Sequence, residues 1–495
     1  MEGGISLNGP NMEVKTSLDL STIKKGPIVA ALIIGAFVSI LNETLLNIAF
    51  PELMVYFGIT ETSVQWLATA YMLVVGILVP VTALLQQWFT TRQMFLGAMI
   101  LFLLGTVICA IAPVFELLLV GRIVQALGTG LMLPVLMNTI LIIFPPEKRG
   151  GAMGLIGLVM MSAPAIGPTL SGLIVDSLSW RWLFILVIPL ALISIVYAAI
   201  YLKNVSELTR PKVDIVSILL SSIGFGGIVY GFSSAGEGSW SDPKVVWCLV
   251  IGGISLILFV WRQLAVKEPM LELRVFRYPM FSLVTVLMLV LMMAMFSTMI
   301  MLPLFLQNVM MLTALSAGLV LMPGSILNGI MAPVSGLLFD KFGPRVLVIP
   351  GLILMSVSIW LFSGIDAAWS SGYVIFLHIL MMIGISLVMM PAQTTGLNQL
   401  PRRLYAHGTA VMSTLQQVAG AIGVALFVSI MSSGMRDYMT TSPDPTNPAE
   451  GVPAMVAGLH SAFVVGGILS ILALLIGLFI RRTKAPEEEA QKQPA

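Results

Sequence analysis

The sequence predicts an all-α integral membrane protein made of two six-helix halves with two extra helices between them. Three observations carry that expectation. The first is composition: of 495 residues, 58% are hydrophobic and 10% charged, whereas a soluble domain carries about 25% charge and under half apolar residues. The mean hydropathy is +1.01. The second is a series of solid apolar runs, and the third is a weak internal repeat.

Spanning a bilayer takes about 20 consecutive apolar residues in a helix, and barrel strands would alternate instead of running solidly apolar. By that rule fourteen helices are predicted, over residues 27–50, 64–86, 93–112, 117–144, 151–175, 182–202, 214–234, 245–265, 279–303, 314–338, 345–365, 371–394, 407–431 and 459–480. The first follows Lys24 and Lys25 but is too long for a signal peptide. It contains Asn42, Glu43 and Asn47 and lacks an A-x-A cleavage pattern, so it reads as a retained helix.

The basic residues give the orientation. With the N-terminus inside, Arg181, Lys244 and Arg436 fall outside and Arg122 falls within a span, leaving 21 of the 25 Lys and Arg residues in cytoplasmic segments. That bias follows the positive-inside rule and puts both termini in the cytoplasm of a cell membrane, expected to be a bacterial plasma membrane. The tail after Arg482, ending APEEEAQKQPA, is polar and is expected to be disordered.

Residues 80–92 read PVTALLQQWFTTR and residues 333–345 read PVSGLLFDKFGPR, aligned without gaps at an offset of 253. Ser63 matches Ser316 at the same offset, and Gly128 and Pro134 fall near Gly384 and Pro391 at offsets of 256 and 257. A persistent offset across several helices signals homologous halves, a transporter signature. The expected organisation is a first half over 1–203, a two-helix insert with a cytoplasmic linker over 204–278, a second half over 279–482 and a tail over 483–495. Within the linker, RQLAVKEPMLELRVFRYP (262–279) is basic and amphipathic. It reads equally as a segment lying on the cytoplasmic membrane surface and as an ordinary loop.

Little in the chain suggests enzyme chemistry. Cys109 and Cys248 lie inside apolar runs, and His378, His407 and His460 are far apart with no ligand spacing. No metal or cofactor is expected, no nucleic-acid partner, and no clustered nucleophile and base. Charge inside hydrocarbon is costly, so an intramembrane ionisable group is a functional candidate. Glu43 is the one acidic residue well inside a predicted span. Helical spacing puts Ser39, Glu43 and Asn47 on one face with Asn42 beside them, a polar stripe suited to a water-filled cavity. A carboxylate there can load and release a proton; the competing reading is a permanently paired, inert Glu.

Arg122 is the only basic residue inside a span, and its stripe continues through Gln125 and Thr129. Counted from the outer helix ends, Glu43 and Arg122 both sit roughly 10 Å deep and within reach of each other, directly or through water. The alternative for Arg122 is to tie its helix to backbone carbonyls. His378 occupies nearly the equivalent place in the second half, where a lone His reads more readily as structural. On the second span, Gln65, Trp66 and Tyr71 are the residues picked out as cavity lining. The 33 methionines either line an adaptable pocket or fill space. In the fifth span, Ala163, Gly167 and Ser171 form a small-residue face, with Pro164 and Pro168 as a kink, as suits two halves that rock against each other.

These motifs resemble the major facilitator superfamily, and within it the fourteen-helix drug/proton antiporter branch of the EmrB/QacA type. The most specific match is Ala163-Pro164-x-x-Gly167-Pro168-x-x-Ser171-Gly172, which resembles the branch's antiporter motif. Ser179-Trp180-Arg181-Trp182-x-Phe184 resembles the element that usually follows it. Arg122-x-x-Gln125-x-x-Gly128 resembles the helix-4 motif implicated in proton coupling. The segment from Gly336 to Arg345 resembles a loop motif whose Asp340, Gly343 and Arg345 the resemblance assigns to a cytoplasmic gate. Two departures stand out. In Leu41-Asn42-Glu43-Thr44 the usual Asp is Asn42 and the carboxylate has moved to Glu43, about 100° around the helix. In the first-half loop motif, Gln87 and Trp88 replace the expected Asp and Arg.

The resemblance implies export of amphipathic, cationic small molecules in exchange for protons, by alternating access, in a protein that works as a monomer. Proton coupling falls to Glu43, Arg122 and Asn42, and the substrate cavity to Ser39, Asn47, Gln65, Trp66, Tyr71, Gln125 and Thr129. A same-fold antiporter of a metabolite, a lipid precursor or a monovalent cation is the nearest alternative. A membrane enzyme and a transport-dead sensor are more distant ones.

Overall fold

The computed structural model describes residues 25–205, 208–209, 211–237, 240–442 and 447–483; the polar tail expected at the C-terminus lies outside them, apart from Thr483. The first helices are α1 (Lys25–Leu45), α2 (Phe50–Phe57), α3 (Glu61–Trp88), α4 (Thr91–Ile111), α5 (Phe115–Ile143), α6 (Arg149–Ser177), α7 (Trp182–Ile185) and α8 (Val187–Tyr201). A helix pair follows, α9 (Ile215–Glu237) and α10 (Pro243–Ala265). The last group is α11 (Pro279–Leu304), α12 (Ala314–Phe342), α13 (Arg345–Ser363), α14 (Ser371–Asn398), α15 (Tyr405–Thr441) and α16 (Gly451–Gly477).

There is no strand among the described residues, and 13 of their helices are long and apolar enough to cross a membrane. The 29-residue α6 is outside that count and packs against α12 and α1. Aromatic side chains such as Phe102, Phe305 and Phe463 are fully enclosed, while Ile257 and Leu337 are 71% and 64% exposed on the flanks. An apolar exterior of this kind is stable only against lipid.

The weak repeat reappears as repeated contacts. Thr60 caps α3 by accepting the Ser63 amide at 3.4 Å, and Thr313 caps α12 by accepting the Ser316 amide at 3.2 Å. A side-chain oxygen at this position satisfies an otherwise orphaned amide of the first turn. Gly128 of α5 lies so close to α4 that a Cβ would overlap Ala98 and Phe102; Gly384 of α14 meets Gly351 and Met355 of α13 in the same way. Residues 256 positions apart also touch each other: the Gln393 amide lies 3.5 Å from the Met137 sulfur, and Arg149 donates to the Tyr405 hydroxyl at 2.9 Å.

Three predicted segments differ from the observed ones. The first span does not run unbroken to residue 50. α1 stops at Leu45, and a 3-10 turn over Leu46–Ala49 leads into α2. Pro51 lacks the amide that would pair with the carbonyl of residue 47 in a continuous helix, and where α1 ends the Ser171 hydroxyl donates to the Leu45 carbonyl at 2.6 Å. The span expected over 407–431 continues to Thr441 through the polar run SSGMRDYMTT, and the one expected from 459 begins at Gly451 with the apolar stretch GVPAMVAG. The linker at 262–279 starts with the last turn of α10 and ends at the first residue of α11. Between them it carries a 3-10 turn over Leu273–Arg277, and Met270, Leu271 and Val275 are buried at 2%, 2% and 0% exposure. These three residues pack against the bundle, while Leu264 and Phe276 of the same stretch are exposed.

Both described termini lie at one end of the bundle, here called the basic end. The Lys25 ammonium sits 5.4 Å from the centre of the Phe144 ring, and Thr483 donates to the Thr395 carbonyl at 2.8 Å. Arg149 ties this end together through Asn398 at 2.7 Å, Tyr405, and the Leu141 carbonyl.

Candidate functional site

Toward the other end, α1, α3, α4 and α5 enclose one charged side chain. Arg122 is 2% exposed, and such a cation needs polar partners to remain buried. It donates to the Asn42 Oδ1 at 3.1 Å, to the Gln125 Oε1 at 3.1 Å and to the Leu67 carbonyl at 3.5 Å, and its guanidinium lies 4.2 Å from the centre of the Tyr71 ring. The partners are themselves fixed. Gln125 donates to Thr106 at 2.8 Å, and the Tyr71 hydroxyl donates to Thr129 at 2.7 Å. Helical spacing aligns Arg122, Gln125 and Thr129 along α5, and Tyr71 closes the guanidinium face as a cation–π partner.

The structure thus gathers Asn42, Tyr71, Arg122, Gln125 and Thr129 into one network. Glu43 stands next to it, half-buried, with Arg122 as the cation whose charge reaches its carboxylate. The hydrogen bond from Arg122 goes to Asn42, the position matching the usual acid, and not to Glu43. Arg122 thus engages Asn42 on the polar stripe of α1 and a backbone carbonyl of α3.

Other expected cavity residues lie elsewhere. Ser39 is buried, and its hydroxyl is bound to the Gly35 carbonyl of its own helix at 3.0 Å. Trp66 is 42% exposed and stacks on Tyr230 of α9 at 5.8 Å, so it faces the extra helix pair. Gln65 is half-buried on α3. The side chains of Asn47, Pro164 and Pro168 lie outside the described residues.

The small-residue face of α6 packs directly below this network. Ala163 and Ser171 are buried, and Gly167 is pressed against Thr44 so closely that any side chain would overlap it. Gly172 has open space around it, so close packing does not require a glycine there. The segment after α6 forms a clasp at the far end: Arg181 donates to the Tyr56 hydroxyl and the Ala112 carbonyl, both at 3.0 Å, beside the buried Trp180.

At the basic end, α12 meets the start of α6. The Asp340 carboxylate accepts the Gly150 amide at 2.8 Å and the Gly151 amide at 2.9 Å, the first free amides of that helix. A helix N-terminus favours an anion for that reason. Gly343 has φ +81°, a left-handed conformation that ends α12. Arg345 is exposed at the start of α13; the cation beside Asp340 is Arg482, which donates to the Asp340 carbonyl at 3.3 Å. Nothing in the local motif pointed to Arg482, which lies 142 residues away.

The first-half counterpart is different. Gln87 lies 3.0 Å from the Nε2 of His407 on α15, and the Nδ1 of that ring accepts the Glu272 amide at 3.2 Å. With Nδ1 accepting, a neutral ring donates from Nε2, and Gln87 meets it best through its carbonyl oxygen. Trp88 donates to the Pro211 carbonyl at 2.9 Å.

Residues 32–424 match the family model of the Major Facilitator Superfamily. The chain belongs to the major facilitator superfamily. It is 54% identical over 460 residues to the lincomycin resistance protein LmrB of Bacillus subtilis (strain 168), covering 92% of this chain and 96% of the relative. It is 51% identical over 462 residues to the protein of the same name from Listeria monocytogenes serovar 1/2a (strain ATCC BAA-679 / EGD-e), covering 93% and 98%. Among solved structures, the human organic anion transporter MFSD10 superposes with a TM-score of 0.65 at 12% identity, over 91% of this chain and 99% of that one. That last likeness concerns the fold alone. As a superfamily member, the protein is a multi-pass membrane transporter of small molecules, not an enzyme.

Proposed function

We propose that this transporter is a proton-coupled exporter of amphipathic, cationic drugs, lincosamides among them, working as a monomer by alternating access in a bacterial plasma membrane. The basic end faces the cytoplasm in this reading, in keeping with the charge bias of its loops. Residues 1–203 and 279–482 act as the two moving halves, and 204–278 is an insert at their side. The antiporter-type face of α6 and the fourteen-helix branch assignment belong to the same proposal.

The observation that carries it is the pairing at α1. Arg122 donates its hydrogen bond to the neutral Asn42, which leaves the neighbouring Glu43 carboxylate in reach of the same charge without holding it in a fixed ion pair. A carboxylate so placed exchanges its proton for a cationic cargo, because either one satisfies its charge. The names of the relatives at 54% and 51% identity support the cargo class.

The test compares ethidium and lincomycin efflux from cells expressing wild type and Glu43→Gln at equal levels, with the pH gradient collapsed at a set time. Wild type is expected to export both compounds. Gradient collapse and the substitution are each expected to reduce export by about tenfold or more, equivalent to about 1.4 kcal/mol of lost coupling. Unchanged export by Glu43→Gln removes Glu43 from the proton path, and export that survives gradient collapse removes proton coupling itself.

A further inference from the structure

The repeat sets His378 at the place that Arg122 occupies in the first half, since both the Arg149–Tyr405 and Met137–Gln393 contacts join residues at the same 256-residue separation. Gly324 likewise stands where Tyr71 stands, at the offset of 253 that relates the two helix caps. In the first half a cation lies on an aromatic ring. In the second, the His378 ring abuts a glycine at Nδ1, so close that a Cβ on Gly324 would overlap it there.

His378 is 4% exposed, and its Nδ1 is buried without a hydrogen-bond partner. Nearby, the Asn328 amide finds only the Met382 sulfur, at 3.2 Å. An unpaired acceptor in such surroundings costs about 1–3 kcal/mol, and nothing in the packing explains why a polar ring occupies it. The helices packed on α14 are α6, α11, α12, α13 and α15. Their ionisable groups are Arg149, Asp340, Lys341, Arg345, Tyr405 and His407 toward the basic end, and Asp176, Arg436, Asp437 and Tyr438 toward the other; α11 has none. Among the described residues, none of these groups is hydrogen-bonded to the His378 Nδ1.

A proton added to Nδ1 would create an N–H donor facing Gly324 with no acceptor, inside apolar packing. With the neutral ring protonated at Nε2, the second proton can enter at Nδ1 only after α12 separates from α14 at this point. Next to the contact lies Pro323, which removes a helical hydrogen bond and gives α12 a place to bend. The same helix carries Asp340 sixteen residues further on, roughly 24 Å along the axis, at its contact with α6. We propose that His378 is a second proton-carrying group of the transport cycle, taking its proton from water when α12 lifts from α14 and returning it when Gly324 closes on the ring. The lifted helix also loosens the hold of Asp340 on α6, so that proton loading favours opening at the basic end.

This inference rests on the proton-coupled reading above, and its test separates the two. Ser335 on α12 is fully buried beside that hold, and its hydroxyl has no partner. In a Cys248→Ser background, Ser335→Cys reports opening through its rate of labelling by a maleimide in the purified full-length protein; Cys109 is buried. Each rate is divided by that of a free cysteine at the same pH, because maleimide reacts with the thiolate; on that scale, moving from about pH 8 to about pH 5.5, across the range in which histidine titrates, should raise the rate several-fold. His378→Gln and His378→Asn should each remove most of that rise. Gly324→Ala, which keeps the histidine but wedges the helices apart, should label at pH 8 about as fast as the parent does in acid.

A full acid response in both His378 variants, or labelling of Gly324→Ala at the parental rate, overturns the proposal. A flat acid response in the parent also overturns it. If ethidium efflux still depends on the pH gradient in that case, the proton-coupled reading survives without His378. If the His378 variants lose the acid response while Glu43→Gln exports normally, it is the assignment of Glu43 that fails.

Discussion

At the basic end the two halves hold each other at two related places, and the chemistry of the two holds differs. On one side a carboxylate, Asp340, sits on two free amides at the start of α6. On the other, where the repeat puts Gln87 in the place of Asp340, a neutral amide meets the His407 ring near the start of α15. The first is a charge-assisted contact with a helix N-terminus, and the second is a bond between neutral groups. Charge-assisted bonds are worth roughly 1.5–3 kcal/mol and neutral ones about 1 kcal/mol. The comparison implies an asymmetric closure in which the α6–α12 seam holds most firmly and the α3–α15 seam gives way first.

The largest expected effect follows from removing the stronger hold. Asp340→Asn retains one acceptor oxygen but turns an amide donor toward the Gly150 and Gly151 amides and loses the favourable charge at the helix start. The closed form should weaken by about 2 kcal/mol, raising maleimide labelling of Ser335→Cys by an order of magnitude and lowering drug export in step. Gln87→Ala should raise labelling by only a few-fold. Equal effects from the two substitutions would break the comparison and make the holds equivalent.

The comparison can also be sharpened by restoring an acid on the weaker side. Gln87→Glu places a carboxylate against the donor nitrogen of His407, and the α3–α15 seam should tighten by about 1 kcal/mol. Labelling should then fall several-fold below wild type, and export should slow because opening becomes harder. Unchanged labelling would mean that the His407 ring is held by the Glu272 amide alone.

Much of this arrangement is legible in the sequence, for identifiable reasons. Spans are set by apolar length, and the network around Arg122 by spacing: Arg122, Gln125 and Thr129 share a helical face, and a buried cation must find polar partners. The choice of Asn42 over Glu43 is a matter of which side of α1 faces α5, and a break at Leu45 that depends on Ser171 of another helix cannot be read from α1 alone. The stacking of Trp66 on Tyr230 is hidden for a similar reason, since an aromatic that packs on a neighbouring helix and one that lines a cavity look alike in sequence until α9 is in place. Arg482 and His407 join the holds across 142 and 320 residues of chain, where no local pattern exists. The repeat is the one sequence signal that reaches such distances, and it located the Gln87 side.

A third carboxylate at the same end tests whether the Asp340 effect belongs to its position. Asp214, just before α9, accepts from Arg262 at 2.8 and 2.9 Å and from the Ser217 hydroxyl at 2.6 Å. The hydrogen bonds from Arg262, ahead of those from Ser217, hold its carboxyl at about 2 against an ordinary value of 3.8. A folded-state value below the unfolded one means that the pair's contribution is complete above about pH 4 and disappears only as pH falls through about 2. It therefore cannot supply an acid response between pH 5 and 8. The Arg262 side chain is 35% exposed, so solvent screens the pair and it contributes little to stability. Both partners belong to the extra helix pair and bridge no seam between the halves. Asp214→Asn should lower the melting temperature by a degree or two, equally at pH 6 and pH 8, and leave Ser335→Cys labelling unchanged. If it opens the basic end as Asp340→Asn does, the Asp340 effect reflects negative charge anywhere at that end, not a carboxylate seated on α6.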